Sequence, residues 1–121
     1  KRQLESIIHP LVSLVLQEQA QTAIQQGAPC LVFDVPLLVE GIERWRPQVD
    51  KICVVDCLPE TQIQRVMARS GLNAEEVDRI VAQQASRAQR LACADITLVN
   101  QGLDFVELDA QVAQMATDFG L

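Results

Sequence analysis

Apolar residues along this chain switch between helical spacing and short continuous runs, and the switches divide it into elements. Residues 3–8 read as helix, and His9-Pro10 predicts a break or a fresh start, since proline suits the first helical position. From Leu11 the apolar positions 11/12, 15/16, 20 and 23/24 step at helical spacing as far as Gly27, a natural stop. Cys30-Leu31-Val32-Phe33-Asp34-Val35 is a run of the kind that forms a strand buried on both faces. Residues 37–46 read as a short helix or loop carrying Arg44, Trp45 and Arg46, closed by Pro47. Ile52-Cys53-Val54-Val55-Asp56 is a second buried run. Pro59 opens a helix with Ile63, Val66 and Met67 inward.

Asn73 with Glu76 has the spacing of a capping box, predicting one helix over about 74–93 that buries Val77, Ile80, Val81, Ala85, Ala88 and Leu91. A third strand, Ile96-Thr97-Leu98-Val99, leads into an Asn100-Gln101-Gly102 turn. A last helix starts at Asp104 with Glu107 as box partner and lines up Phe105, Leu108, Val112, Met115 and Phe119. Strands separated by helical crossovers predict an α/β fold with a parallel sheet. No internal repeat or dividing linker interrupts the 121 residues, which are expected to form one domain or part of one.

Composition changes this picture little. The chain is 49% hydrophobic and 21% charged, as in ordinary soluble globules. No apolar run approaches the ~20 residues that span a bilayer. The chain opens on Lys1-Arg2-Gln3-Leu4, already in helical pattern and without Met, which reads as the middle of a gene product. The opening residues lack the basic-then-apolar pattern of a leader, and no secretory signal is expected. Cysteines 30, 53, 57 and 93 lie in or beside apolar runs without the spacing of a zinc site, and buried reduced thiols in a cytoplasmic protein are expected.

Charge is more informative in its distribution than in its total. The net charge of −6 argues against non-specific nucleic-acid binding. Yet residues 65–90 hold five of the eight arginines (65, 69, 79, 87, 90) and three acids (75, 76, 78), a local +2 against −8 for the remainder. An arginine cluster in an acidic protein suits a small phosphate-bearing ligand.

Candidate chemistry follows from these positions. Asp34 and Asp56 both end apolar runs, where parallel sheets place ligand-handling groups, and each reads either as a site acid or as a helix cap. Arg65 and Arg69 share one helix face, and Arg87 and Arg90 another. Together they form either a phosphate clamp across the Ser70-Gly71-Leu72 hinge or two solvated surfaces. His9, the sole histidine, is a site candidate or a packing residue. Trp45 stacks on a base or anchors a loop. No Ser/His/Asp or Cys/His arrangement suggests a hydrolase, and no GxxxxGK[ST] phosphate-binding loop is present.

The ordered set His9-Pro10-Leu11, Asp34-Val35-Pro36-Leu37-Leu38-Val39-Glu40, Val54-Val55-Asp56, Pro59-Glu60-Thr61-Gln62 to Arg65, Gln84 to Arg87 and Arg90, Ala94-Asp95, and Asn100-Gln101-Gly102 resembles the dephospho-coenzyme A kinases. The resemblance runs over essentially the whole chain. It implies an enzyme that moves the ATP γ-phosphate to the ribose 3′-hydroxyl of dephospho-CoA, the last step of coenzyme A synthesis, with ATP and Mg²⁺ required.

It also implies a P-loop kinase fold, with residues 1–27 in a helical coenzyme-binding part, 30–36, 52–56 and 96–99 as the third, fourth and fifth core strands, and a lid around 69–90. Arg65 then matches the phosphate-contacting arginine, helped by Arg69, Arg87 and Arg90, and Asn100 borders the adenine. His9, Asp34, Pro36 and Leu37 fall to the coenzyme substrate, Asp34 facing its cleft.

In that topology the phosphate-binding loop and the first two strands precede Lys1. The chain is therefore expected to be the C-terminal part of a partial sheet, partnered by the missing N-terminal segment and inactive alone. No protein metal ligand, nucleic-acid partner or membrane partner is expected. The alternatives are another P-loop small-molecule kinase and a non-catalytic binding fragment.

Overall fold

The computed structural model describes the backbone from residue 2 to residue 121 and side chains from Leu11 onward. Its elements in chain order are α1 (Arg2–Gln25), α2 (Ile42–Trp45), a 3-10 turn (Arg46–Gln48), β1 (Cys53–Asp56), α3 (Pro59–Ser70), α4 (Ala74–Ala82), α5 (Arg87–Cys93), β2 (Ile96–Val99) and α6 (Phe105–Asp118). The fold class is α/β, and β1 and β2 pair in parallel as predicted, with Val54 opposite Thr97 and Asp56 opposite Val99.

The chain forms two compact units, one of residues 1–34 with Leu121 and one of Val35–Gly120. The first is dominated by α1, which runs without the expected interruption at His9-Pro10. A proline inside a helix removes one backbone hydrogen bond and crowds the preceding turn, and α1 nevertheless continues through Pro10. Gly27, at φ 80°, ends α1 as its position predicts. The Gly27 N–H donates to the Ile24 carbonyl and the Ala28 N–H to that of Ala23, the paired bonds that close a helix through a left-handed residue. Leu11, Val12, Val15 and Leu16 line a shallow apolar depression on α1.

The predicted strand 30–35 is not formed. Residues 30–35 are irregular, Cys30 and Asp34 are exposed, and Val32 is 87% exposed. A strand exists through its ladder, and among the described residues no neighbour pairs with this run. The described sheet therefore has two strands where three are expected, and Asp34 does not terminate a buried strand. The thiols also differ from expectation. All four cysteines are free, but Cys30 and Cys53 are exposed and Cys57 and Cys93 half-buried.

The second unit carries the sheet and the core. Ile52, Val54, Leu98 and Val77 are buried. Val54 and Leu98 lie on opposite faces of the β1–β2 pair, and α6 packs along β2. Val77 reaches the interior from α4, which packs against α3. Ile63, Val66 and Met67 are half-buried on α3 as expected, whereas Ile80 on α4 and Phe105 on α6 remain largely exposed.

The long helix expected over 74–93 is two helices. Asn73 and Glu76 form the predicted capping box at the start of α4. A second box, Ser86 with Gln89, starts α5. Asp104 caps α6 by accepting the Glu107 N–H, but Glu107 does not return the bond, so the expected box is only half formed.

Candidate functional site

The carboxyl ends of β1 and β2 are bound together by the residues that follow them. The Asn100 N–H donates to the Asp56 carbonyl at 2.8 Å, extending the ladder by one rung. The Leu58 N–H donates to Gln101 Oε1 at 3.0 Å, and Gln101 Nε2 donates to Thr61 Oγ1 at 2.8 Å. Gly102, at φ 65°, supplies the left-handed step that turns the chain back after Gln101. The Asn100-Gln101-Gly102 turn is thereby fastened to the first turn of α3, which Pro59 begins.

Arginines enter this end of the sheet from two helices. Arg65, on α3, donates from Nη1 to the Asn100 carbonyl at 2.9 Å. Arg87, the first residue of α5, grips Asp56: Nε lies 3.1 Å from both carboxylate oxygens and Nη2 lies 2.8 Å from Oδ2. The Asp56 side chain is buried while that of Arg87 is about half exposed. Hydrogen bonding from Arg87 holds the Asp56 carboxyl below its ordinary range against the opposing effect of burial, and the nearby Arg90 charge adds to this. Arg87 is pushed up in turn, first by its hydrogen bonds to Asp56. Arg90 is half-buried, with Nη1 donating to the Ala85 carbonyl at 2.8 Å.

The structure thus gathers Arg65, Arg87, Arg90 and Asn100 at one end of a parallel sheet, the end where such folds bind ligands. Arg69 lies exposed in the last turn of α3. Pro36 and Leu37 are exposed at the start of the second unit, and Asp34 is exposed at the end of the first. The side chain of His9 lies outside the described residues.

Three arrangements escape sequence reasoning. Asp56 does not cap α3, whose N-cap is Leu58, and is instead the buried partner of Arg87. Arg46 forms a two-pronged bond to Asp95, at 2.9 and 3.2 Å, while Asp95 also accepts the Ile52 N–H at 2.7 Å. Glu40 accepts the Ala85 N–H at 2.7 Å. The sequence signals, Ala94-Asp95 and the acid that closes Pro36–Glu40, are visible as residues, but their partners lie more than forty positions away.

Among the described residues no group of three His, Cys, Asp or Glu side chains could hold a metal ion. Both oxygens of Asp56 are engaged by Arg87, so these residues do not make a cage for Mg²⁺. Guanidinium groups at a strand end suit the oxygens of a phosphate, which accept paired N–H donors. Among the described residues no helix is long and apolar enough to cross a membrane.

Residues 1–104 match the model of the dephospho-CoA kinase family. A dephospho-CoA kinase of Albidiferax ferrireducens is 50% identical over all 121 residues, which make up 57% of that protein. Those of Bordetella avium and Bordetella pertussis are 51% identical over 87% of the chain and 54% identical over 82% of it, covering 47% and 44% of their own lengths. The chain spans about half the length of these curated relatives. On this match and this identity, the chain belongs to the dephospho-CoA kinase family.

Proposed function

We propose that the protein carrying this chain transfers the γ-phosphate of ATP to the ribose 3′-hydroxyl of dephospho-CoA. The observation that carries the reading is the convergence of Arg65, Arg87 and Arg90 with the Asn100 turn at the carboxyl end of β1 and β2, in a chain of this family. In such a transfer the acceptor oxygen attacks the γ-phosphorus in line while the bond to the β-phosphate bridging oxygen breaks. Fixed cationic donors around the phosphoryl oxygens lower the barrier because they need no reorganisation as charge redistributes. Arg65 is assigned to ATP phosphates, with Arg87, Arg90 and Arg69 supporting it, and Asn100 to the border of the adenine.

The finer assignments rest on the family motifs. Residues 69–90 act as the lid, residues 1–27 belong to the coenzyme-binding part, and His9, Asp34, Pro36 and Leu37 contribute to the dephospho-CoA subsite. β1 and β2 serve as neighbouring strands of a P-loop kinase sheet, and the phosphate-binding loop is supplied by sequence outside these 121 residues. No residue of this chain is assigned to Mg²⁺. The free cysteines accord with a cytoplasmic place of work.

The test is ADP formation by the full-length gene product with dephospho-CoA and, separately, with nucleoside monophosphates as acceptor. Turnover confined to dephospho-CoA is expected, and turnover confined to nucleoside monophosphates would refute the assignment. Arg65→Ala is expected to lower kcat by at least ~10²-fold, the typical loss on removing one preorganised donor. An unchanged kcat would take Arg65 out of the site.

A further inference from the structure

Glu40 closes the Pro36-Leu37-Leu38-Val39-Glu40 segment and has no part in the assignments above, yet it makes a long-range contact at the base of the arginine helix. Its Oε1 accepts the Ala85 N–H at 2.7 Å, across 45 residues of sequence. Ala85 sits in the joint between α4 and α5. The neighbouring N–H groups are satisfied locally: Gln83 donates to the Ile80 carbonyl, Gln84 to that of Val81, and Ser86 to the Gln89 side chain. Ala85 differs. Its N–H reaches Glu40, and its carbonyl accepts from Arg90 Nη1.

Two residues further on, Arg87 is seated on Asp56. The start of α5 is therefore held at two points that lie outside it, Glu40 and the end of β1. α5 is only seven residues long, so these two contacts bear directly on where its first turn stands.

We propose that Glu40 is a positioning residue for Arg87. By holding the Ala85 N–H it fixes the α4–α5 joint and so sets the Arg87 guanidinium at the strand ends, where the transferred phosphate is to be met. This rests on the phosphotransfer reading of the same site. Glu40 acts as a hydrogen-bond acceptor in this role, and neither a proton nor substrate contact is required of it.

The full-length protein provides the test, with one readout that needs no substrate. In the wild type the Ala85 amide should exchange with solvent at least ~10-fold more slowly than an unbonded amide, and an unprotected Ala85 amide overturns the proposal without any variant. The Arg87 Nε–H resonance, assigned by its loss in Arg87→Ala, should move towards that of a free arginine in Glu40→Ala and stay near its wild-type position in Glu40→Gln, whose amide oxygen can still accept. An Arg87 signal that ignores Glu40→Ala refutes the coupling.

In turnover, Glu40→Ala is expected to lower kcat/KM for ATP about 10-fold and Glu40→Gln by less than about 3-fold. In an Arg87→Ala background, Glu40→Ala should change the rate by less than about 2-fold, because the group it positions is gone. Equal losses in Glu40→Gln and Glu40→Ala, or a full loss persisting without Arg87, would overturn the positioning role. A wild type that fails to phosphorylate dephospho-CoA would refute the function, while the exchange and resonance measurements would still decide the Glu40–Arg87 link.

Discussion

Asp56 and Asp95 are carboxylates whose pairing follows from the path of the whole chain. Asp95 is drawn down to about 2, first by the hydrogen bonds from Arg46 and then by the Ile52 N–H. Asp56 is lowered chiefly by Arg87. Because both folded-state values lie below the ordinary 3.8, the stability they contribute is complete above about pH 4. It is lost as pH falls through the depressed values, which for Asp95 means between about pH 4 and pH 2, while Asp56 loses its share on the acid side of pH 4. The urea midpoint of the full-length protein should fall over that window, and Asp95→Asn should flatten the fall while lowering the midpoint at pH 7. An Asp95→Asn profile as steep as the wild type would remove Asp95 from the acid transition. The arginine surplus over 65–90 is legible in the sequence by counting, but the partners are not. Arg87 finds Asp56 across 31 residues and Arg46 finds Asp95 across 49, and only the folded path brings them together.

Most elements with a strong local signal form as read, whereas the run at 30–35, which needs ladder partners, does not form a strand. Pro59 opens α3, the Asn73–Glu76 box opens α4, and both parallel strands fall within a residue of their apolar runs. The split between α4 and α5 was legible too, since Ser86 and Gln89 have box spacing, but the apolar periodicity running through 77–91 obscures it. Residues 30–35 carry strand-forming side chains, yet propensity alone cannot supply ladder partners. Two substitutions probe the local devices. Ser86→Ala removes the acceptor for the Gln89 N–H and should cost about 1 kcal/mol, with faster amide exchange through α5. Val77→Ala opens a cavity beneath α4 at the most buried side chain among the described residues and should cost roughly 2–3 kcal/mol in denaturant unfolding. A Val77→Ala cost no larger than a surface substitution would show that α4 is not anchored through that residue.

At the scale of the whole molecule, the covering of the β1–β2 pair sets the expectation. Val55 lies on the same face as the buried Leu98 but is 61% exposed, and Val99 is 47% exposed opposite the buried Asp56. Each face is thus covered over one strand and open over the other, and the second edge of β1 has no partner among the described residues. A two-stranded sheet is marginal without further strands or full helical cover, and an open apolar edge invites pairing between copies. The 121 residues by themselves should therefore bind an apolar-sensing dye and associate as concentration rises, and should not turn over ATP. The full-length protein should bind little dye and be catalytically competent. Light scattering after size exclusion, dye fluorescence and ADP release measure the three properties on the same samples. Val55→Lys should lower both dye binding and association of the 121 residues, because it places a charge on the open face beside the unpaired edge. If the 121 residues alone stay monomeric, bind no dye and turn over ATP at the full-length rate, the phosphate-binding loop need not come from elsewhere, and the assignment of β1 and β2 to a larger sheet falls with it.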